Sequence, residues 1–202
     1  VTSSWTNRYG GVLQTIFVFT RSNITFLGEG KDTTTILGGF RIENLENITF
    51  KNMTVTNTSE GGEGIHMRNA KVELMDVTFT GWEYAGLLIP SSTSETTVVV
   101  ATRCDFAHSR FGAVVYGSLS SATFNNCVFN DNSSDGITGA NGATIHLHGD
   151  ATVIHSNGRF GIYTLYSGKV IIHLPSHHNT SYNNRDEDRK TSSGGTITNV
   201  ED

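Results

Sequence analysis

Apolar and polar residues alternate in short segments that return along the chain at regular intervals. The outer residues of each segment are apolar and the middle one is mostly polar, which is the pattern of a β-strand with one buried face. The segments begin 23 to 26 residues apart. They are Ile24-Thr25-Phe26, Ile48-Thr49-Phe50, Val72-Glu73-Leu74, Val98-Val99-Val100, Ala122-Thr123-Phe124, Ile145-His146-Leu147 and Val170-Ile171-Ile172.

A second, independent marker has the same period. Glycines followed by short apolar strands recur 22 to 26 residues apart, at Gly39, Gly64, Gly86, Gly112, Gly136 and Gly161. Two markers with one period indicate a solenoid, and the absence of a sustained 3.6-residue period argues against helical repeats. We therefore predict an all-β fold, a right-handed single-stranded parallel β-helix of about seven coils of roughly 24 residues each.

A third strand in each coil places two cysteines in the predicted core. Stacking the coils about 4.8 Å apart gives one inward column of Met53, Val77, Cys104, Cys127 and Ala151. The two cysteines then form either a disulfide or reactive pair, or two small buried hydrophobic residues, and the second interpretation is favoured. Two ligands alone do not make a zinc site.

The whole chain, 1–202, is predicted to form one domain with irregular ends. Residues 1–20 are expected to be an incomplete coil that caps the first edge. Residues 177–193 carry the charged run Arg185–Lys190 and are predicted to be a solvated loop, before a final strand within 194–202. Because the chain begins with Val1 and shows no signal peptide, we expect a processed or trimmed product.

Composition excludes several classes of protein. The chain is 36% hydrophobic with 22 glycines and 2 prolines, which does not fit a disordered or collagen-like chain. The formal net charge is −5 and no long basic run occurs, so no nucleic-acid partner is predicted. The apolar run Ile16–Phe19 is too short to span a membrane.

The repeat resembles the pectin-lyase-like superfamily over nearly the whole chain. Asn23–Ile36 looks like the opening coil of pectin methylesterases, and His173–Thr180 is similar to uncharacterised β-helix proteins of algae and of the large DNA viruses that infect them. The resemblance implies an acidic polysaccharide or other glycan as partner, and an extracellular or virion-associated location. The superfamily's catalytic motifs are mostly missing: Gln14 is the only glutamine, and only Ser134-Asp135-Gly136 resembles the Asn-Thr-Asp element of polygalacturonases.

Residues of equal phase become spatial neighbours in a solenoid, and one such column carries catalytic residue types. The position after the third strand gives His108, Asp131 and His155 on three successive coils. A carboxylate between two imidazoles would suit removal of the C5 proton of a uronic acid, by a lyase or an epimerase. The competing interpretation is a polar turn ladder in which any hydrogen-bonding residue would serve.

Other columns carry groups that suit sugar binding. Arg110, Ser134 and Arg159 share a phase and could contact a carboxylate, with Asp135 as a further substrate-binding residue and Trp82 and Tyr84 as stacking rings. His148 lies above His173, in phase with Asn125 and Lys51, but two ligands are too few and a solvated polar face is favoured. No metal or cofactor is predicted.

Two classes of function follow. The first is a polysaccharide-interacting β-helix, with lyase or epimerase chemistry if it is catalytic. The alternative is a non-catalytic structural or binding module of a cell surface, fibre or virion, which would allow an oligomer. Ice binding fits poorly, because the Thr-X-Thr pairs Thr54/Thr56 and Thr78/Thr80 do not continue on the next coils.

Overall fold

The computed structural model describes residues 2–6, 12–57, 62–92, 94–174 and 180–201, and all regular structure in these ranges is β. The strands are β1 Thr2–Thr6, β2 Val12–Val18, β3 Ile24–Leu27, β4 Thr35–Leu37, β5 Gly39–Glu43, β6 Ile48–Thr56, β7 Glu63–Arg68, β8 Lys71–Thr80, β9 Ala85–Ile89, β10 Thr97–Thr102, β11 Asp105–Ala107, β12 Phe111–Tyr116, β13 Ser120–Asn125, β14 Val128–Asn130, β15 Ile137–Ala140, β16 Thr144–His148, β17 Val153–His155, β18 Phe160–Leu165, β19 Lys169–Leu174, β20 Ser181–Tyr182, β21 Glu187–Thr191 and β22 Thr196–Glu201.

The strands form two sheets that wind round one core. The first sheet has nine strands in the order β1-β2-β5-β7-β9-β12-β15-β18-β21. The second has thirteen, because each coil contributes two strand segments to it, and in β6 and β8 these segments are joined into one long strand. Each described strand pair is parallel except β1 with β2. The predicted right-handed parallel β-helix of about seven coils is confirmed.

The alternation in the sequence becomes an inward and an outward set of side chains. In the register of β6 and β8, Ile48 lies opposite Val72 and Phe50 opposite Leu74, so residues of equal phase stack in the core. Phe79, Phe106 and Phe129 stack in this way, with ring centroids 5.3 and 4.9 Å apart. The core is thus a set of columns along the solenoid axis, and burial of these large rings stabilises the stacking of coils.

The cysteine column is confirmed in part. Cys104 and Cys127 are free, buried thiols, and burial raises the pKa of Cys127. The prediction is wrong for Ala151, which is exposed. The buried Thr152 takes the position after Cys127 in the inward column, and its Oγ1 accepts a hydrogen bond from Cys127 N at 3.3 Å. The reason is local. Two residues separate β13 from β14, whereas four separate β16 from β17, including Gly149 with φ of 86°.

Asparagines line the corner that leads into the first sheet, and two of them, Asn132 and Asn157, are buried. The Nδ2 of Asn132 donates to Phe106 O at 3.0 Å and to Asn157 Oδ1 at 2.9 Å. Asn157 repeats this with Phe129 O and Asn184 Oδ1. Gly136 is required beside this corner, because a Cβ there would lie 2.8 Å from Asn157 Nδ2. We call Asn132, Asn157 and Asn184 the asparagine ladder.

The two ends differ from the central coils. At the N-terminal end, where a cap is predicted over 1–20, β1 pairs antiparallel with β2 and forms the edge of the first sheet. The loop predicted over 177–193 is wrong where the segment is described. There β20 pairs with β17 and β21 pairs with β18, because sheet pairing uses the backbone while the charged side chains remain at the surface. Residues 175–179, within the His173–Thr180 stretch, lie outside the described residues.

Candidate functional site

The predicted column of His108, Asp131 and His155 does not form. His155 lies opposite Asn130 and Tyr182, whereas His108 and Asp131 each stand one residue later, in the next column. The cause is the longer corner between β16 and β17. Paired residues of β14 and β17 are 25 residues apart in the sequence, whereas paired residues of β11 and β14 are 23 apart. A prediction that uses one mean period for all coils does not detect such an insertion.

The three residues also make separate contacts. His108 and Asp131 are exposed turn residues with φ of 50° and 53°. His155 Nδ1 lies 3.0 Å from Ser156 Oγ, and its ring stacks on Tyr182 with centroids 5.3 Å apart. No hydrogen bond joins any two of His108, Asp131 and His155 among the described residues. This arrangement is that of a polar turn.

The predicted phase of Arg110, Ser134 and Arg159 agrees with the backbone hydrogen bonds. Ser134 N donates to Arg110 O at 2.8 Å and Arg159 N donates to Ser134 O at 2.9 Å, so the three residues lie on successive coils. The Arg110 Cζ lies 5.3 Å from the Phe111 ring centroid. The Arg159 Cζ lies 5.2 Å from the centroid of Tyr163. Both guanidinium groups are therefore placed over aromatic rings on the outer side of the first sheet.

Asp135 is placed differently from an exposed substrate ligand. Its side chain is 0% exposed and accepts hydrogen bonds from Arg159 Nε and Nη2, both at 2.7 Å, and from Thr138 Oγ1 at 2.9 Å. The hydrogen bond to Asp135 raises the pKa of the Arg159 guanidinium. Asp135 therefore holds Arg159 in a bidentate ion pair, and its oxygens are covered.

The two predicted stacking residues have opposite environments. Trp82 is 2% exposed and belongs to the core, and its backbone N donates to Ser109 Oγ at 3.2 Å. Tyr84 is partly exposed and packs edge to face on Phe111, with ring centroids 5.4 Å apart. Only Tyr84 is available to a ligand. We call Tyr84, Arg110, Phe111, Arg159 and Tyr163 the arginine–aromatic strip.

An apolar outer cluster supports one end of this strip. Leu88 and Val114 point away from the core yet are buried, because Tyr84, Phe111 and Tyr116 pack over them. Burial and a hydrogen bond to Tyr84 raise the pKa of the Tyr116 hydroxyl. The rings are thus held in place on the sheet surface.

A groove lies elsewhere, on the second sheet. It has a volume of about 490 Å³ and runs across β6, β8 and β10, where Thr49, Lys71, Glu73 and Val100 contribute to its lining. The Lys71 Nζ is 2.7 Å from a Glu46 carboxylate oxygen. The described residues that line the groove include no aromatic ring, so it offers a ligand a different chemistry from the strip.

Three histidines meet on the outer side of the second sheet. His146 Nδ1 is 2.9 Å from His173 Nε2, and the rings of His148 and His173 stack with centroids 3.8 Å apart. One ring nitrogen from each residue lies within 4.8 Å of the others. Burial, and the charges of His173 and His148, lower the pKa of His146. We call these residues the histidine cluster.

The sequence predicted only the His148 and His173 pair. The missing third member had a signal in the strand period: His146 and His148 are two residues apart on β16, and side chains at such positions point to the same face. The register continues the phase predicted from Lys51 through Asn125 to His148.

Comparison with known proteins identifies the fold. A family model described as a right handed beta helix region matches residues 38–201. Comparison with curated proteins finds no match, and neither does comparison with solved structures. The described residues contain no helix with the length and apolarity needed to cross a membrane.

Proposed function

The chain belongs to the right-handed β-helix family, and from this premise we propose that it binds an acidic polysaccharide along the arginine–aromatic strip. Long regular sheet faces offer an extended polymer the same contacts on successive coils. The family itself does not set the ligand, since one fold serves many functions. The proposal depends on the chemistry of the strip.

The observation that carries the proposal is the alignment of two arginines with partly exposed aromatic rings on one side of the solenoid. Arg110 and Arg159 are two coils apart, about 10 Å, and guanidinium groups bind carboxylates with paired hydrogen bonds. Asp135 already neutralises Arg159, whereas none of the described carboxylates forms an ion pair with Arg110. Arg110 should therefore contribute most to binding, with Tyr84 offering an apolar ring face to a sugar.

The test measures the affinity of the whole chain for soluble polygalacturonate and alginate by titration calorimetry. We expect Arg110→Gln to weaken binding about tenfold, because one charge-assisted contact is lost, and Tyr84→Ala to weaken it as well. Lys71→Gln is the matched control, since it removes a cation from the groove on the other sheet. Binding that depends on Lys71 and ignores Arg110, or no binding of either polymer, would contradict the proposal.

Lyase or epimerase chemistry is a separate extension of this proposal. It would require a proton-abstracting group, and His108, Asp131 and His155 are the side chains to test. Ultraviolet absorbance of unsaturated uronate and exchange of the C5 hydrogen report the two reactions. Turnover that persists in the double variant His108→Ala/His155→Ala would exclude these histidines as catalytic residues. Absence of turnover with the unaltered chain would contradict catalysis and leave polysaccharide binding as the proposed function.

We also propose an extracellular or virion-associated location, which suits a glycan partner and the resemblance to the pectin-lyase-like superfamily and to algal and viral β-helix proteins. The alternative function is a non-catalytic structural module that assembles through its ends. Light scattering after gel filtration separates the two: an assembly that is disrupted by removal of β22 would favour the structural module, and a monodisperse monomer would count against it.

A further inference from the structure

The histidine cluster stands on a rigid part of the scaffold. β16 and β19 are hydrogen-bonded neighbours on adjacent coils, with Thr144 opposite Lys169 and Leu147 opposite Ile172. The inward residues beside the cluster, Leu147 and Ile172, are buried in the core. The backbones that carry the three imidazoles are therefore held in place whether or not anything binds to the rings.

The distances between the rings suit one small cation. Tetrahedral Zn²⁺ with bonds of about 2.0–2.1 Å to nitrogen needs ligand atoms roughly 3.3 Å apart. The His146 Nδ1 to His173 Nε2 distance is 2.9 Å, and all three ligand nitrogens lie within 4.8 Å of one another. The separations therefore lie on both sides of the value that tetrahedral Zn²⁺ needs, with 2.9 Å for this pair and 4.8 Å as the upper limit for the three nitrogens.

The donor set selects the kind of metal. All three ligands are imidazoles, which favour Zn²⁺, Cu²⁺ and Ni²⁺, whereas Ca²⁺ and Mg²⁺ prefer oxygen. Three protein ligands leave a fourth position for water or for another donor. All three histidines are partly exposed on the outer face of the second sheet.

We propose that His146, His148 and His173 bind one divalent transition metal, with Zn²⁺ as the reference ion and one coordination position open to solvent. The site lies on the second sheet, away from the arginine–aromatic strip, and is independent of the proposed polysaccharide binding. A cation would replace the hydrogen bond between His146 and His173, and that proton would move to the remote ring nitrogen of its imidazole.

Calorimetric titration of the metal-free chain with Zn²⁺ tests the proposal. We expect one Zn²⁺ per chain, and we expect His146→Gln, His148→Gln and His173→Gln each to weaken binding at least about tenfold. His108→Asn is the matched control, because it removes an exposed histidine from a left-handed position that asparagine tolerates, and it should leave the affinity unchanged. Far-ultraviolet circular dichroism of each variant verifies folding.

Two further measurements separate this site from other histidines. Co²⁺ bound to the unaltered chain should give the visible absorption of a four-coordinate nitrogen site, which the His146→Gln variant should lose. Replacing His177 and His178 together by glutamine should leave one Zn²⁺ per chain. The proposal is overturned by the absence of Zn²⁺ binding, by an affinity in the three cluster variants equal to that of the unaltered chain, or by binding that is lost only with His177 and His178.

Discussion

The asparagine ladder and the histidine cluster are both groups of like residues on successive coils, but the ladder asparagines lie at an inner corner and the histidines lie on the outer face. Asn132 and Asn157 are each 1% exposed, and their amides donate to a carbonyl oxygen and to the next amide of the ladder. The histidines face outward and are only partly buried. His146 Nδ1 lies 2.9 Å from His173 Nε2, and the rings of His148 and His173 stack with centroids 3.8 Å apart.

The difference shows how a repeat assigns polar columns to structure or to chemistry. An amide both donates and accepts, so a stack of asparagines can extend along the axis with every member satisfied. Neutral imidazole has one donor and one acceptor and becomes cationic near neutral pH, so a histidine stack gains charge repulsion on acidification. The ladder should therefore matter to stability, and the cluster to binding.

Asn157→Ala should have the largest effect on stability. The change removes a side chain that contacts Asn132, Asn184 and Phe129 O, and it leaves several buried polar groups without a partner. Each such group costs about 1–3 kcal/mol, so we expect the free energy of unfolding to fall by about 3 kcal/mol. Urea denaturation followed by circular dichroism measures it.

Asn130→Ala on β14 is the control for this change, because it removes an outward asparagine from the same corner. Its effect should stay within about 0.5 kcal/mol. Similar losses for Asn157→Ala and Asn130→Ala would contradict the role assigned to the ladder, because burial would then not distinguish Asn157 from a partly exposed, outward asparagine.

Asp135→Asn should lower the free energy of unfolding by less than Asn157→Ala. Asp135 is buried, as the ladder asparagines Asn132 and Asn157 are, but its ion-pair partner Arg159 is partly exposed. The change removes the bidentate contact to Arg159 but keeps the side-chain volume, and Arg159 is exposed enough to regain hydration. We expect a loss of about 2 kcal/mol in the same urea experiment. Asp131→Asn is the matched variant: it is exposed, and an equal loss there would contradict the role assigned to the Asp135 pair.

The period and the alternation were sufficient to predict the fold, because stacking equal phases is what buries the apolar residues. They failed where one corner gains residues. The four residues between β16 and β17 moved Thr152 to the place predicted for Ala151 and separated His155 from His108 and Asp131. A mean period of about 24 residues cannot reveal such an insertion, since register is set by backbone pairing at each coil.

The candidate sites were predicted less well because local composition is a poor guide to which way a corner residue points. Trp82, between Gly81 and Glu83, has the composition of an exposed turn. Its backbone N nevertheless donates to Ser109 Oγ, and Ser109 N donates to Asn132 Oδ1, so Trp82 occupies the inward column that leads to the ladder. The strand period did contain the signal for His146, which shares its outward face with His148.

The pH dependence of stability should give the smallest effect and separates the two columns most directly. The folded-state pKa of His146 lies below its ordinary value of 6.5, mainly because burial disfavours the charged ring. The unfolded chain then binds more protons at this residue. The contribution of His146 to the free energy of unfolding is therefore fully present above the unfolded pKa, and it is lost as the pH falls through 6.5 toward the folded pKa. Urea denaturation with a chelator, at about pH 7.5 and about pH 5.5, should show a smaller acid loss in His146→Gln than in the unaltered chain. Asn157→Ala should keep the full acid loss, because an amide does not titrate. The prediction is contradicted if the loss of stability at acid pH is the same with and without His146, or if an NMR titration of His146 is centred above 6.5.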